Sequence, residues 1–274
     1  MLTRFARGTA RAARDVVAML YRHRRVLVAT TRVEVRKRYA GSALGLIWVG
    51  LYPVLLLSVY LFIFLVLFST RLPGYTEMDY VLYVFAGLIP YMGLSEAVQA
   101  GTQSIKQNLH LVKNVMLPIE LVPVRAVAAA LVGQSVSLCV LVVLAAFNGT
   151  LSPAMVLLPL VFLLQFLMLV GIVFVLSAVA MVVQDVSYLV SITLMLLMFL
   201  SPIGFRADML PPSYGIIVWA NPVAYLCDAY RAVLLTNYPF SATSSAVFIG
   251  LAIVFFVLGA AFFSRFKGAL VDHE

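Results

Sequence analysis

Charge is scarce in this 274-residue chain: only 11% of residues are Asp, Glu, Lys or Arg, against 64% hydrophobic and a mean hydropathy of +1.06. A soluble domain of this size needs a charged surface of about 25% of its residues, so a water-solvated fold is excluded and lipid becomes the natural solvent. Cysteine is nearly absent. Cys139 and Cys227 stand far apart in or near apolar runs, which rules out a disulfide framework and a paired-cysteine zinc site and reads both as packing residues. The three histidines, His23, His110 and His273, are scattered, and there is no HExxH stretch, no Ser-His-Asp arrangement and no placeable carboxylate pair. Enzymatic chemistry therefore has no visible centre. A GxxxxGK[ST] phosphate loop is also missing, so the chain has no recognisable means of binding ATP. The first 45 residues lack a compact apolar stretch ending in a small-residue cleavage site, so no cleavable secretion signal is read.

What the chain does have is long apolar runs. Six segments, 46–68, 80–99, 121–147, 154–179, 187–203 and 246–263, approach or exceed the roughly 17–25 residues needed to cross a hydrocarbon core about 30 Å thick. The predicted fold class is an all-α polytopic membrane protein: a basic N-terminal segment (1–45), a six-span domain (46–263) and a short tail (264–274). Cation placement predicts its orientation. With the N-terminus inside, segments 1–45, 100–120, 180–186 and 264–274 hold eleven, two, zero and two Arg or Lys, whereas the outside segments 69–79, 148–153 and 204–245 hold one, zero and two. Fifteen against three predicts a multi-pass membrane protein with both termini in the cytoplasm. Arg125, near the start of span three, is the remaining cation and is placed to snorkel. The formal charge of +8 sits beside hydrophobic segments, so anionic lipid headgroups are its expected partner and nucleic acid is not.

The stretch VEVRKRYAGSALGLIWVGLYPVLL, residues 33–56, joins a crowd of cations to one of the most apolar runs in the chain. Apolar residues punctuate the arginines from Arg4 to Arg38, which predicts one or two helices lying along the cytoplasmic surface; a mobile basic arm is the alternative. Trp48 reads as an interface anchor, and Pro53 as a kink or the true start of the membrane helix. In residues 101–120, Ile105, Leu109, Val112 and Met116 recur at helical spacing, which suits a short amphipathic helix docking a partner from the cytosol or lying on the surface. Residues 201–240 are broken by Pro202, Pro211, Pro212, Pro222 and Pro239 into apolar pieces too short to cross, as expected of re-entrant or interface-lying helices. Within them Asp228 and Arg231, three apart, are read as a local ion pair. Glu96, at the end of span two, and Asp185, in the turn between spans four and five, are further functional suspects.

Four stretches give the chain its resemblance: EVRKRYAGSALGLIWVGLYPVLL (34–56), AGLIPYMGLSEAVQAGTQSIKQNLHLVKNVMLPIELVPV (86–124), QDVSYLVSITLMLLMFLSPIGF (184–205) and NPVAYLCDAYRAVLL (221–235). Together with the six-span plan they resemble the permease subunit of ABC-2-type exporters, in the branch that exports polysaccharides or lipid-linked polysaccharides such as O-antigen, capsule and teichoic acid. The resemblance implies a homodimer powered by two separate ATPase subunits, with ATP and Mg2+ held in those partners and no cofactor in this chain. It implies an interface helix and membrane turn at Arg36, Lys37, Arg38, Tyr39, Gly41, Ser42 and Trp48. It also implies an ATPase-coupling helix over Ser104, Ile105, Lys106, Asn108, Leu109, Val112, Lys113 and Asn114, and an external gate from Pro202, Asn221, Pro222, Asp228, Tyr230 and Arg231. Tyr52, Tyr60, Tyr83 and Tyr91 are the candidate aromatics for stacking on a passing glycan. The chain departs from the family pattern in having Pro90-Tyr91 where an aromatic pair beginning with Trp is usual, and Gln184 where a basic residue usually precedes the Asp-Val. The alternatives are an ABC-2 permease for a small lipid or drug and, from another class, a membrane-bound glycosyl or acyl transferase.

Overall fold

Lipid offers no hydrogen-bond partners to a bare backbone, so an apolar chain must pair its own amides and carbonyls within helices or a closed barrel. This chain uses helices. The computed structural model describes residues 2–38, 41–63, 75–109, 118–209, 211, 213 and 215–272, and its only extended pairing there is one isolated antiparallel bridge, Leu151 with Leu235.

Two helices form the basic N-terminal region, α1 (Leu2–Arg22) and α2 (Arg24–Arg38). They meet at His23, where bonds from His23 N to Met19 O and from Leu27 N to His23 O, both 2.9 Å, carry the backbone through the break. After α2 the chain turns at Gly41 (φ 82°) and Gly45 (φ 51°), left-handed conformations that glycine adopts without a Cβ penalty. A 3-10 turn over Gly45–Ile47 then starts α3 (Trp48–Leu61). Pro53 therefore lies inside this helix and does not mark its beginning. The last residues of the expected first span, 64–68, lie outside the described residues.

The next helix, α4 (Glu77–Gln107), is the central element and is buried along most of its apolar length. A capping box starts it: Thr76 Oγ1 accepts from Asp79 N at 3.2 Å while Asp79 Oδ2 accepts from Thr76 N at 3.1 Å. It is longer than the expected 80–99 span because Gly101, Thr102, Ser104 and Ile105 continue its buried face past the apolar run. Around α4 stand α5 (Leu121–Phe147), α6 (Leu158–Val182, preceded by a 3-10 turn over Pro153–Leu157) and α10 (Ala242–Asp272). Together with α4, these supply the four helices long and apolar enough to span a membrane among the described residues. The α5 limits coincide with those read from sequence. A fifth apolar helix, α7 (Val186–Leu200), ends before the expected Ile203 because Ser201-Pro202 cannot continue it, and at about 22 Å it falls short of a full hydrocarbon core.

Helices α6 and α10 cross in backbone contact. A Cβ placed on Gly171 would sit 2.1 Å from Phe255 O, and one on Gly259 would sit 2.1 Å from Gly171 O. Small residues at such crossings let dispersion and close packing substitute for the hydrophobic effect, which is weak between helices in lipid. Phe174 and Phe263 stack beside the crossing at 4.6 Å.

The proline-broken segment forms a 3-10 turn at Ala207–Met209, the short α8 (Gly215–Trp219) and α9 (Pro222–Leu234). Helix α9 is buried within the bundle. Its first residues share a cavity wall with Leu94 and Met168, midway along their helices, while its end meets the 148–153 loop through Ser152 N to Leu234 O (3.0 Å) and Thr236 N to Thr150 O (2.9 Å). The piece therefore runs from mid-bundle to one end, called the upper end below; the C-terminus of α4 and the start of α5 mark the lower end. Cys227 is buried in α9 and its thiol donates to Gly87 O at 3.4 Å, whereas Cys139 is exposed on α5 and is not the packing residue its apolar neighbours suggested.

Candidate functional site

The face of α4 left open by its neighbours carries polar residues. Ser95, Gln99, Gln103 and Gln107 recur every four residues along its lower half with Glu96 beside them, Gln99 Nε2 donating to Ser95 Oγ (3.1 Å) and Gln107 Nε2 to Gln103 Oε1 (2.9 Å). A groove of about 490 Å3 lies between this stripe and α3, α5 and α7, with Tyr52, Tyr91, Gln134, Ser191 and Met195 in its walls. Below it a second chamber of about 370 Å3 is lined by Glu34, Ser104, Gln107, Asn108 and Arg125. Glu96 and Gln99 line both, so the two adjoin along α4 as a channel whose upper groove is mainly apolar and whose lower chamber is the more polar part. Carboxylate, amide, hydroxyl and aromatic groups in such a channel offer hydrogen bonds and stacking to a polyhydroxylated solute and no reactive constellation.

The channel's upper wall is held by amides deep in the bundle. Gln134 and Gln165, almost fully buried, pair reciprocally: Gln134 Nε2 donates to Gln165 Oε1 at 2.7 Å and Gln165 Nε2 to Gln134 Oε1 at 2.9 Å. Gln134 Nε2 also reaches the Tyr230 hydroxyl (3.0 Å), that hydroxyl donates to Gln165 Oε1, and Gln165 Nε2 reaches Pro90 O (3.1 Å). One cluster thus joins α4, α5, α6 and α9. Gly93 makes it possible, since a Cβ there would lie 1.7 Å from Gln134 Oε1. Isolated Gln residues in apolar helices give no sequence signal of their partners, although their cost when unpaired in lipid was a usable hint.

At the upper end three consecutive carbonyls are fastened by side chains. Arg231 Nη2 donates to Ile203 O (2.9 Å), Tyr80 OH to Gly204 O (3.0 Å) and Tyr83 OH to Phe205 O (3.1 Å). Arg231 is fully buried, its Nε also donates to Tyr83 O (3.1 Å), and its guanidinium lies 3.7 Å from the Tyr83 ring centre. The expected Asp228–Arg231 ion pair does not form. Asp228 instead accepts from Tyr238 OH (2.6 Å) and Ser244 Oγ (2.9 Å), because its position on α9 faces α10 while Arg231 faces α4. Burial, and then the Asp228 carboxylate, push the Tyr238 phenol above its ordinary range, so it remains a neutral donor. Pro202 is buried, Asn221 Oδ1 caps α9 by accepting from Val223 N (2.9 Å), its Nδ2 donates to Ser201 Oγ (2.9 Å), and Pro222 takes the first helical position.

The other sequence-predicted residues are dispersed. Tyr52 and Tyr91 line the groove, and Tyr91 donates to Leu194 O; Tyr83 belongs to the upper cluster, and the Tyr60 side chain lies outside the described residues. Ser104, Ile105 and Lys106 form the last turn of α4 and not a separate element. Ser104 Oγ donates to Gly101 O (2.7 Å), Ile105 is buried, Lys106 is exposed, and Asn108 Nδ2 donates to Ser104 O (2.8 Å). Leu109 is half-buried, and Val112, Lys113 and Asn114, like His110, lie outside the described residues. On the basic segment Arg36, Lys37 and Ser42 are exposed and Trp48 is half-buried, Gly41 makes the turn, and the Arg38 side chain and Tyr39 lie outside the described residues. Asp185 is exposed in the α6–α7 turn. Two lower-end ion pairs were not anticipated: Lys267 with Glu120 at 2.7 Å, joining the α10 end to the α5 start, and Arg125 with Glu34 at 3.7 Å, joining α5 to α2. No group of three or more His, Cys, Asp or Glu gathers among the described residues.

Comparison with known proteins bears on what this channel is for. The sequence profile of the ABC-2 type transporter family matches residues 25–235. Similar proteins include the O-antigen export system permease protein RfbA of Myxococcus xanthus, 27% identical over 221 residues that cover 80% of this chain and 83% of the relative. Two proteins of the same name from Klebsiella pneumoniae are 26% and 25% identical over 247 and 250 residues, each covering 88% of this chain and 92% of the relative.

Proposed function

Because the chain belongs to the ABC-2 type transporter family, we propose that it is the permease subunit of an ATP-driven exporter that moves a polysaccharide or lipid-linked polysaccharide across the inner or cytoplasmic membrane. The observation that carries this reading is the likeness, over most of the chain, to permeases named for O-antigen export. The channel along α4 supports it. Its amides, hydroxyls and carboxylate suit sugar hydroxyls, and Tyr52 and Tyr91 add apolar surface on which a sugar ring can slide without one binding register.

In this reading six segments cross the membrane, α3 and α7 each completing the passage together with adjoining apolar chain because the helix alone is too short, with both termini and the lower end cytoplasmic. A second copy closes the groove on the side of α3 and α7, and two separate ATPase subunits bind ATP and Mg2+ and engage the segment from Ser104 through Asn114. Motion there passes into α4, a helix about 46 Å long with Pro90 near its middle, whose other end is gripped by the Arg231 cluster. A pull at the lower end therefore tilts the helix against a fixed upper anchor and widens the channel. The external gate is the α7–α9 segment, held by Pro202, Asn221, Tyr230 and Arg231.

Vesicles containing the permease and its ATPase test the proposal. They should move labelled lipid-linked glycan on ATP addition; movement of a small amphiphile without glycan would overturn it. Replacing Leu109 and Val112 with Asp should abolish ATPase association while membrane insertion persists. Unchanged association would reject the coupling assignment.

A further inference from the structure

Helix α2 does not lie flush against α5. Between them runs a groove of about 520 Å3, within the roughly 300–1,000 Å3 typical of small-molecule sites. Leu27, Val28 and Val35 from α2 and Ala128 and Val132 from α5 make its walls apolar. Arg125 with Glu34, at 3.7 Å, pins the helices together beside it. Along the rim stand Arg32 and Arg36, one helical turn apart, both exposed and without an ion-pair partner among the described residues.

The groove also holds an unsatisfied hydroxyl. Thr31 is 8% exposed, and its Oγ1 is buried with no hydrogen-bond partner among the described residues. Its neighbour Thr30 shows what such a hydroxyl ordinarily does in a helix, donating back to Val26 O at 2.8 Å and to Leu27 O at 3.1 Å. Thr31 forgoes that bond while lining the groove, at the cost of a buried polar atom.

We propose that this groove is a binding site for one membrane phospholipid with an anionic headgroup. Arg32 and Arg36 take its phosphate, Thr31 Oγ1 donates to a glycerol ester carbonyl, and one acyl chain follows Ala128 to Val132 towards the middle of the bundle. Charge complementarity selects the occupant: a neutral detergent offers the arginine pair no phosphate, and a zwitterionic lipid brings a quaternary ammonium beside it, whereas an anionic headgroup brings net negative charge to the two cations. The bound lipid cements α2 to α5 independently of what the protein carries.

Native mass spectrometry of the full chain in detergent tests this, with phosphatidylglycerol and phosphatidylcholine of identical chains as probes. Wild type should hold one phosphatidylglycerol roughly tenfold more tightly than phosphatidylcholine. The variant R32Q/R36Q should lose that preference while a control, R11Q/R14Q on α1, keeps it. V132W should weaken both lipids by filling the groove. T31V should weaken ester-linked phosphatidylglycerol only, leaving its ether-linked counterpart unaffected. Equal retention of the two headgroups by wild type, an undiminished preference in R32Q/R36Q, or displacement of the lipid by free glycerol phosphate would each overturn the proposal.

Discussion

The two ends of the bundle spend their polar residues differently. At the upper end Arg231, Tyr80 and Tyr83 are buried and donate to the carbonyls of Ile203, Gly204 and Phe205. Along the lower half of α4, Gln99 and Gln107 line the channel and bond only within their own helix, to Ser95 and Gln103. Both sets look alike in sequence, as polar interruptions near apolar runs. The contrast teaches that a polar side chain at membrane depth serves architecture when its partners are backbone carbonyls across helices, and serves a route when its neighbours recede from it.

Substitutions separate the two uses, beginning with the largest effect. Arg231→Ala removes charged hydrogen bonds to two carbonyls and leaves a cavity beneath Gly87 and Tyr83, which should cost about 3 kcal/mol and be visible as a lowered thermal midpoint in detergent. An unchanged midpoint would mean that the upper end is not anchored as described. Gln165→Leu should cost about 1–2 kcal/mol by leaving Gln134 Oε1 without its donor and the Tyr230 hydroxyl without its acceptor, and the Q134L/Q165L pair should cost less than the two single changes added together. Simple additivity in that cycle would deny the amide pairing. Gln99→Leu sits at the other extreme: its effect on stability should stay within about 0.5 kcal/mol, while glycan movement falls.

Which parts of this were legible beforehand follows from where the partners lie. The limits of α5 could be read because Pro118 and the Asn148-Gly149 pair bracket one uninterrupted apolar run. The resemblance implied a membrane turn at Gly41, where the backbone takes a left-handed conformation that glycine adopts freely, whereas Gly45, which shares that conformation, carried no signal of its own. The length of α4 was not, since Ser104 and Gln107 look like loop residues until Gly101 and Ile105 are seen to pack against the bundle. Asp228 and Arg231 misled for a related reason. Spacing of three places two residues on neighbouring helical faces, but the carboxylate found α10 and the guanidinium found α4, and nothing near them in sequence records either helix. The Gln134–Gln165 pair, 31 residues apart on different helices, is invisible to any local pattern.

The central claim is that the polar face of α4 is the route and not a packing seam. Gln99→Trp tests it most directly, because the indole would fill the point shared by both chambers and Gln99 takes no part in the Arg231 cluster or the amide pair. In vesicles carrying the permease with its ATPase, the account predicts that Q99W inserts, melts and binds the ATPase as wild type does but no longer moves labelled lipid-linked glycan. Glycan movement at the wild-type rate through Q99W would contradict it.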